Sequence, residues 1–381
     1  MRTEPDVAGP FGPGVRRGRE GGTELWLPAA PARRGPGERA PIFYNPAMAL
    51  DRDLNVAVAR RARSQGAGRV AAWEMLGATG VRGLRLVAES DWLDSLEITE
   101  LHPRALEVAR ENAARLGASI PIAVAAHDAR RPRPDGRRFG YVDLDPYGSP
   151  LPYLATLWTA VDDPAIVGVT ATDTMVLAGA TRGACERLYR ARPVHGRLGP
   201  EGGLRILIAS LVESAAAAGW RARPLLSYVH DHHLRTYLTV RRSEGDPPSS
   251  VPIGTIEEAT WAGPSLGPGA PFGPLWLGPL AEEEWVRGLE VPATAARPDE
   301  ARRFLARLRE EAAVDTPFYY EPNELARALH LREPLPTATI LAGLRGSGAR
   351  AARGHPRESA IRTDAPRPVV LALVRRLAES R

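Results

Sequence analysis

From Val70 to Gly83 the chain reads V-A-A-W-E-M-L-G-A-T-G-V-R-G, an apolar strand running into glycines spaced three apart. A leucine- and arginine-bearing helix is predicted after Gly83. A strand, a glycine turn and a helix in succession bring backbone N–H groups and a helix N-terminus close to a ligand. The spacing, Gly77-x-x-Gly80-x-x-Gly83, is not the G-x-G-x-x-G of a dinucleotide turn, which argues against a nicotinamide cofactor. Twenty residues beyond Gly80, the segment L-E-I-T-E ends a second strand at Glu100. An acid at that point is placed to hold ribose hydroxyls. S-adenosylmethionine carries a ribose and no pyrophosphate, and it suits this looser turn. An ordinary strand–helix connection is the structural alternative.

The strand and helix pattern continues. I-P-I-A-V-A-A predicts a third strand, followed by His127-Asp128-Ala129. Asp128 can accept a hydrogen bond from an adenine amine there, or simply cap a helix. A fourth strand ends at Leu144 and a fifth, A-I-V-G-V-T-A-T-D, at Asp173. Two more strands are expected near Leu225–Val229 and Thr236–Arg241. The apolar run from Leu204 is interrupted by Arg205 and Glu213, so it reads as a packed helix and not a membrane span. The pattern predicts an α/β fold: a doubly wound, mostly parallel seven-stranded sheet covered on both faces. Its ligand should lie at the carboxyl ends of the strands.

The fourth strand runs into D-P-Y-G-S-P. The Asp145 carboxylate and the carbonyls of the turn can accept N–H bonds from an exocyclic amine of a nucleobase. Tyr147 offers a ring for the base to stack on, worth about 1–3 kcal/mol. Pro146 fixes its own φ and so restrains its neighbours. The same residues also suit a plain tight turn.

At this point the chain resembles a known family, the tRNA (guanine-26) dimethyltransferases. The resemblance begins with E-G-G-T-E-L-W-L-P at Glu20 and continues through I-F-Y-N-P-A-M-A-L-D-R-D, L-G-A-T-G-V-R-G, D-L-D-P-Y-G-S-P and G-V-T-A-T-D-T. It extends through H-D-H-H-L-R, F-G-P-L-W-L-G-P-L and T-P-F-Y-Y-E, in the same order. The resemblance implies a class I methyltransferase fold and transfer of one or two methyl groups from S-adenosylmethionine to the 2-amino group of guanine 26 in tRNA. It implies that Arg52 binds the methionine carboxylate, that Arg82 lies at the same end of the cofactor, and that Gly77 and Gly80 form the cofactor turn. It places Glu100, where the family usually has Asp, on the ribose, and Asp128 and Ala129 beside the adenine. Asp145 and Pro146 match its catalytic turn, and Phe43 and Tyr147 match the aromatics that hold the target guanine. Asp51 replaces the usual Asn, for which the sequence offers no account. Phe43 also fits a core position, and Arg82 also fits a pair with a neighbouring carboxylate. The alternatives are an amino-methyltransferase for another RNA or DNA base, a nicotinamide-dependent oxidoreductase, and an RNA-binding protein with an inactive nucleotide fold.

The chain of 381 residues suffices for two domains. Its one cysteine, Cys185, excludes an internal disulfide and a cysteine-built zinc site. His230, Asp231, His232 and His233 cluster in sequence but lack a second acidic motif, so no metal is expected. No signal peptide or membrane span is visible, and Glu4 and Asp6 argue against a transit peptide, so a cytoplasmic location is expected. Oligomeric state is open, with a monomer the default.

All 50 basic residues are arginine, which reads as genome composition. Their distribution says more, since residues 341–381 carry nine Arg against three acids while the whole chain is only +5. A basic stretch beside a neutral body suits phosphate binding, or a solvated charged face. Three divisions are expected: a disordered extension at 1–18, a methyltransferase domain at 19–245, and a C-terminal α+β tRNA-binding domain at 246–381. The break is placed at the Pro/Gly-rich Glu244–Pro248. Beyond it, helices near Asn323–His330 and Thr337–Arg345, a basic hairpin over Arg350–Ala365 and a helix over Val369–Glu379 suggest a winged-helix-like module. Arg353, Arg357 and Arg362 are its candidate tRNA contacts.

Overall fold

The computed structural model describes residues 11, 14–29, 42–243, 251–257, 260–267 and 271–380. These residues form two compact units. The first holds residues up to 146 together with 150–168 and 288–303, and the second holds 147–149, 169–287 and 304–381.

The first unit opens with an antiparallel hairpin, β1 (Val15–Glu20) and β2 (Thr23–Pro28), turned by Gly21 at φ +61°. Helix α1 (Ala49–Ser64) precedes two strand–helix repeats, β3 (Val70–Glu74) with α2 (Val81–Glu89) and β4 (Leu93–Thr99) with α3 (Pro103–Leu116), and then β5 (Ile122–Ala125), which leads directly to β6 (Phe139–Leu144). Strands β5, β4, β3 and β6 run parallel in that spatial order. Buried on both faces, they take the apolar runs that mark interior strands. Trp73, Ile98, Val142 and Leu144 are inaccessible to solvent. Asn112 of α3 ties the hairpin to the glycine turn: it accepts from the Trp26 N–H at 2.6 Å and donates to the carbonyls of Trp26 and Thr79. Helix α4 (Leu154–Ala160) leads into β7 (Val161–Ala171).

The second unit carries the short α5 (Thr174–Leu177), α6 (Arg182–Tyr189) and α7 (Gly199–Ala217), then the antiparallel pair β8 (Trp220–His230) and β9 (His233–Arg242). The sheet order is β5-β4-β3-β6-β7-β9-β8, the seven-stranded, mostly parallel arrangement expected, with the last strand inserted before its predecessor. Helix α7 buries Leu204, Ile206, Leu207, Ile208 and Leu211 on most sides, with Arg205 also buried on Glu201 and Glu213 left at the surface. A two-stranded pair, β10 (Ile253–Ile256) and β11 (Phe272–Trp276), is followed by α8 (Glu283–Arg287) and α9 (Pro298–Ala312). Then come α10 (Pro322–Ala328), α11 (Thr337–Gly346), the hairpin β12 (Ala351–Arg353) and β13 (Ile361–Thr363), and α12 (Arg367–Glu379). Leu325, Ile340, Leu344, Ile361, Val370 and Val374 form one core among these elements. The helices and basic hairpin thus occupy the expected segments.

Two boundaries differ from expectation. Residues 15–18, expected to be disordered, pair with 25–28 in β1–β2; residues 1–10 and the break at 244–248 lie outside the described residues. A single cut at 245/246 does not describe the units, because residues 288–303 belong to the first. The cause is polar. Asp53 of α1 accepts the backbone N–H groups of Ala296 and Arg297 at 2.9 and 2.8 Å, and the Thr294 hydroxyl donates to Glu89 at 2.6 Å.

Candidate active site

Strands β3, β4 and β6 are parallel neighbours, so the residues following them emerge on one edge of the sheet. The chain order reverses between β3 and β6, which is where doubly wound sheets bind ligands. After β3, the turn is held by the Gly80 N–H on the Gly77 carbonyl at 2.7 Å and by the Gly77 N–H on the Thr99 carbonyl at 2.9 Å. Gly80 has φ +74°, a conformation that favours glycine, and opens α2. A Cβ on Gly77 would lie 2.2 Å from the Ile98 side chain. Glu100, half-buried after β4, accepts the Ala78 N–H at 2.9 Å with one oxygen. Its other oxygen accepts the Leu101 and His102 N–H groups at 2.7 and 2.8 Å. The carboxylate therefore stands at the turn, oriented by three backbone donors. After β5, Ala129 is buried and Asp128 is chelated by Arg130, whose side-chain and backbone hydrogen bonds hold the acid down to about 2.

Asp145 follows β6 directly. The Arg82 guanidinium, buried at the start of α2, is ion-paired with Asp145 and reaches Asp143 at 3.3 Å. Of the two expectations for Arg82, the pair with a neighbouring carboxylate is observed, on the acid of the Asp-Pro-Tyr turn. Asp143 is also hydrogen-bonded by the Tyr141 hydroxyl, which contacts Asn55 of α1 as well. Beneath them, Glu74 accepts the Gly83 N–H at 3.0 Å. Burial, then the charge of Asp143, push the Glu74 carboxyl up to about 8. Gly83 is the third glycine of the turn because a Cβ there would meet the Glu74 carboxylate at 2.6 Å. Glu74, Asp143 and Tyr141 were not picked out from sequence; the available signal was an acid inside each of the apolar strands V-A-A-W-E and F-G-Y-V-D-L.

Arg52 is likewise buried. It pairs through two nitrogens with Glu20, each at 2.5 Å, and donates to the Asn45 carbonyl at 3.0 Å. Burial alone would raise the Glu20 carboxyl, but Arg52 outweighs it and, with Arg85, brings it down to about 2. Phe43 and Tyr147 both expose their rings, 46% and 71%. The core alternative for Phe43 is thereby set aside.

The candidate RNA contacts divide. Arg353 is exposed, and Arg357 is half-exposed beside Glu321 at 3.3 Å. Arg362 is a correction: it is buried, bonded to Glu201 at 2.8 Å and to Glu311, with the Phe318 carbonyl at 3.2 Å. Within β13 its side chain faces inward, so it meets carboxylates and not phosphates.

A parallel sheet with a glycine turn after its first strand, an acid after the second and an Asp-Pro-Tyr turn after the fourth defines a class I S-adenosylmethionine-dependent methyltransferase. The profile of the N2,N2-dimethylguanosine tRNA methyltransferase family matches residues 34–251 and 267–375, and the chain belongs to that family. The tRNA (guanine(26)-N(2))-dimethyltransferase of Thermococcus kodakarensis is 34% identical over 363 residues, covering 88% of this chain and 93% of that protein. Its Pyrococcus abyssi counterpart is 32% identical, covering 86% and 91%. The structure of Trm1 from Pyrococcus horikoshii with S-adenosyl-L-methionine superposes with a TM-score of 0.81 at 27% identity, covering 94% of this chain and 99% of that one.

Proposed function

We propose that this protein methylates the exocyclic 2-amino group of guanine 26 in tRNA, once or twice, with Asp145 as the group that receives the amine. The observation that carries the reading is Asp145 itself, at the switch point of the sheet with its carboxylate fixed by Arg82.

The residues of the first unit fit S-adenosylmethionine: the glycine turn at Gly77 and Gly80, held by backbone hydrogen bonds, and the oriented Glu100 carboxylate for ribose hydroxyls. Asp128 and Ala129, just after β5, serve the adenine, and Arg52, braced by Glu20, serves the methionine carboxylate. When bound, the cofactor supplies an electrophilic methyl group.

The guanine amine is a weak nucleophile because its lone pair is delocalised into the ring. Asp145 accepts an amine N–H bond and turns that lone pair out of conjugation. Such fixed orientation contributes several kcal/mol, up to about 7–11 in model reactions. Asp145 is also the acceptor for the proton the nitrogen releases. The target base must leave its stack, at a cost of a few kcal/mol, and the exposed rings of Phe43 and Tyr147 offset part of that. Arg353 and Arg357 contribute to phosphate binding. A tRNA substrate implies work in the cytoplasm; among the described residues no helix is long and apolar enough to cross a membrane.

The test is to treat unmodified tRNA with enzyme and labelled cofactor, digest it, and identify the nucleoside. Label in N2-methylguanosine or N2,N2-dimethylguanosine, lost when guanine 26 is changed to adenine, supports the reading. Label in any other nucleoside overturns it.

A further inference from the structure

Tyr147 is exposed, yet the two residues that follow it are tightly held. The Gly148 N–H donates to the Thr172 hydroxyl at 2.6 Å, and the Thr172 N–H donates to the Gly148 carbonyl at 3.0 Å. Gly148 sits at φ +92° with open space where a Cβ would be, so backbone conformation and not crowding requires glycine there. Next, Ser149 Oγ lies 2.8 Å from the Tyr189 hydroxyl. That hydroxyl donates to Asp173 Oδ2 at 2.8 Å. A phenol has one hydrogen, so Tyr189 gives it to Asp173 and Ser149 donates to the Tyr189 oxygen. Asp173 ends the run that follows β7, and Tyr189 is the last residue of α6, 5% exposed. Two separate chain segments, 172–173 and the end of α6, therefore converge on one short loop, from which the Tyr147 ring projects into solvent.

A buried tyrosine spending its hydroxyl on a carboxylate is common in a core. Here the chain of bonds does not end in the core. It reaches Ser149, two residues from an aromatic ring open to solvent. We propose that Tyr189, oriented by Asp173, is a positioning residue for methyl transfer: through Ser149 it fixes the loop that carries Tyr147 and so sets where the target base stacks. The inference rests on Tyr147 being a platform for the base. A displacement of about 1 Å in a group that positions a reactant is enough to cost on the order of a hundredfold in rate.

Tyr189→Phe keeps the ring and removes only the hydroxyl. The experiment compares it with Tyr147→Ala and with the double variant, measuring methyl transfer to tRNA, cofactor affinity by calorimetry, and thermal unfolding. The expected result is a drop in kcat/KM for tRNA of about tenfold, the scale of one hydrogen bond to a charged group, with cofactor affinity unchanged. In the Tyr147→Ala background the same change should cost nothing further, because the ring it positions is gone. A merely structural hydroxyl would lower activity equally in both backgrounds, and that result overturns the proposal. Unchanged turnover of Tyr189→Phe also overturns it. Unchanged turnover of Tyr147→Ala alone would remove the platform itself, a failure distinct from that of the relay. Should Tyr189→Phe unfold, Ser149→Ala breaks the same chain at its outer end, and the same comparison decides.

Discussion

The buried guanidinium of Arg82 is ion-paired with the carboxylate of Asp145, joining the first turn of α2 to the end of β6. It also reaches Asp143 at 3.3 Å, so its planar fork is shared between the two acids of D-L-D. One cation thereby fixes the orientation of the acid proposed to receive the substrate amine.

Lysine at this position keeps the charge and loses the fork. Arg82→Lys should lower the rate of methyl transfer by about 10–100-fold, since carboxylate orientation is lost and small misplacements are costly. Cofactor affinity should change little. Parallel calorimetry and single-turnover assays check this, and a collapse of cofactor affinity would assign Arg82 to the cofactor site.

Glu74 links the same cluster to pH. Its folded carboxyl is raised to about 8 from an ordinary 4.5, so the folded protein holds a proton there that the unfolded chain releases. Its contribution to stability is complete below pH 4.5 and is lost as pH rises towards 8. Glu74→Gln retains an acceptor for the Gly83 N–H and cannot ionise. The variant should show a flatter decline of unfolding temperature between pH 5 and 8 than the parent. Identical slopes would mean that Glu74 does not hold the proton.

Arg362 anchors the second unit, and this separates it from its basic neighbours. Arg362→Ala leaves the buried carboxylates of Glu201 and Glu311 short of their shared cation, a loss of about 3–5 kcal/mol. Denaturant unfolding should report that loss. Arg353→Gln with Arg357→Gln should leave stability nearly unchanged, weaken tRNA binding and flatten its salt dependence. Equal tRNA affinity before and after would assign these two arginines to solubility.

Much of the first unit was legible because its signals are local. Strand ends mark where Gly77, Glu100, Asp128 and Asp145 fall, and a parallel sheet puts such ends on one edge. The partners of the arginines were not legible. Arg82 meets Asp145 across 63 residues and Arg362 meets Glu201 across 161, and no local pattern encodes which carboxylate a buried guanidinium will find. Arg362 also lies in a basic stretch, so composition pointed outward while the inward face of a short strand decided its burial. The return of residues 288–303 to the first unit depends on acids of α1 and α2 capturing backbone N–H and hydroxyl donors, which hydrophobic periodicity does not reveal.

The proposed reaction depends on Asp145 receiving the guanine amine. Asp145→Ala should be assayed by single-turnover methyl transfer from labelled cofactor to tRNA, alongside calorimetric binding of that cofactor. The expected result is a rate at least about a thousandfold lower, within the range for loss of a positioned proton acceptor, with cofactor affinity nearly intact. A rate close to that of the parent, or a cofactor affinity that collapses with the rate, would contradict it.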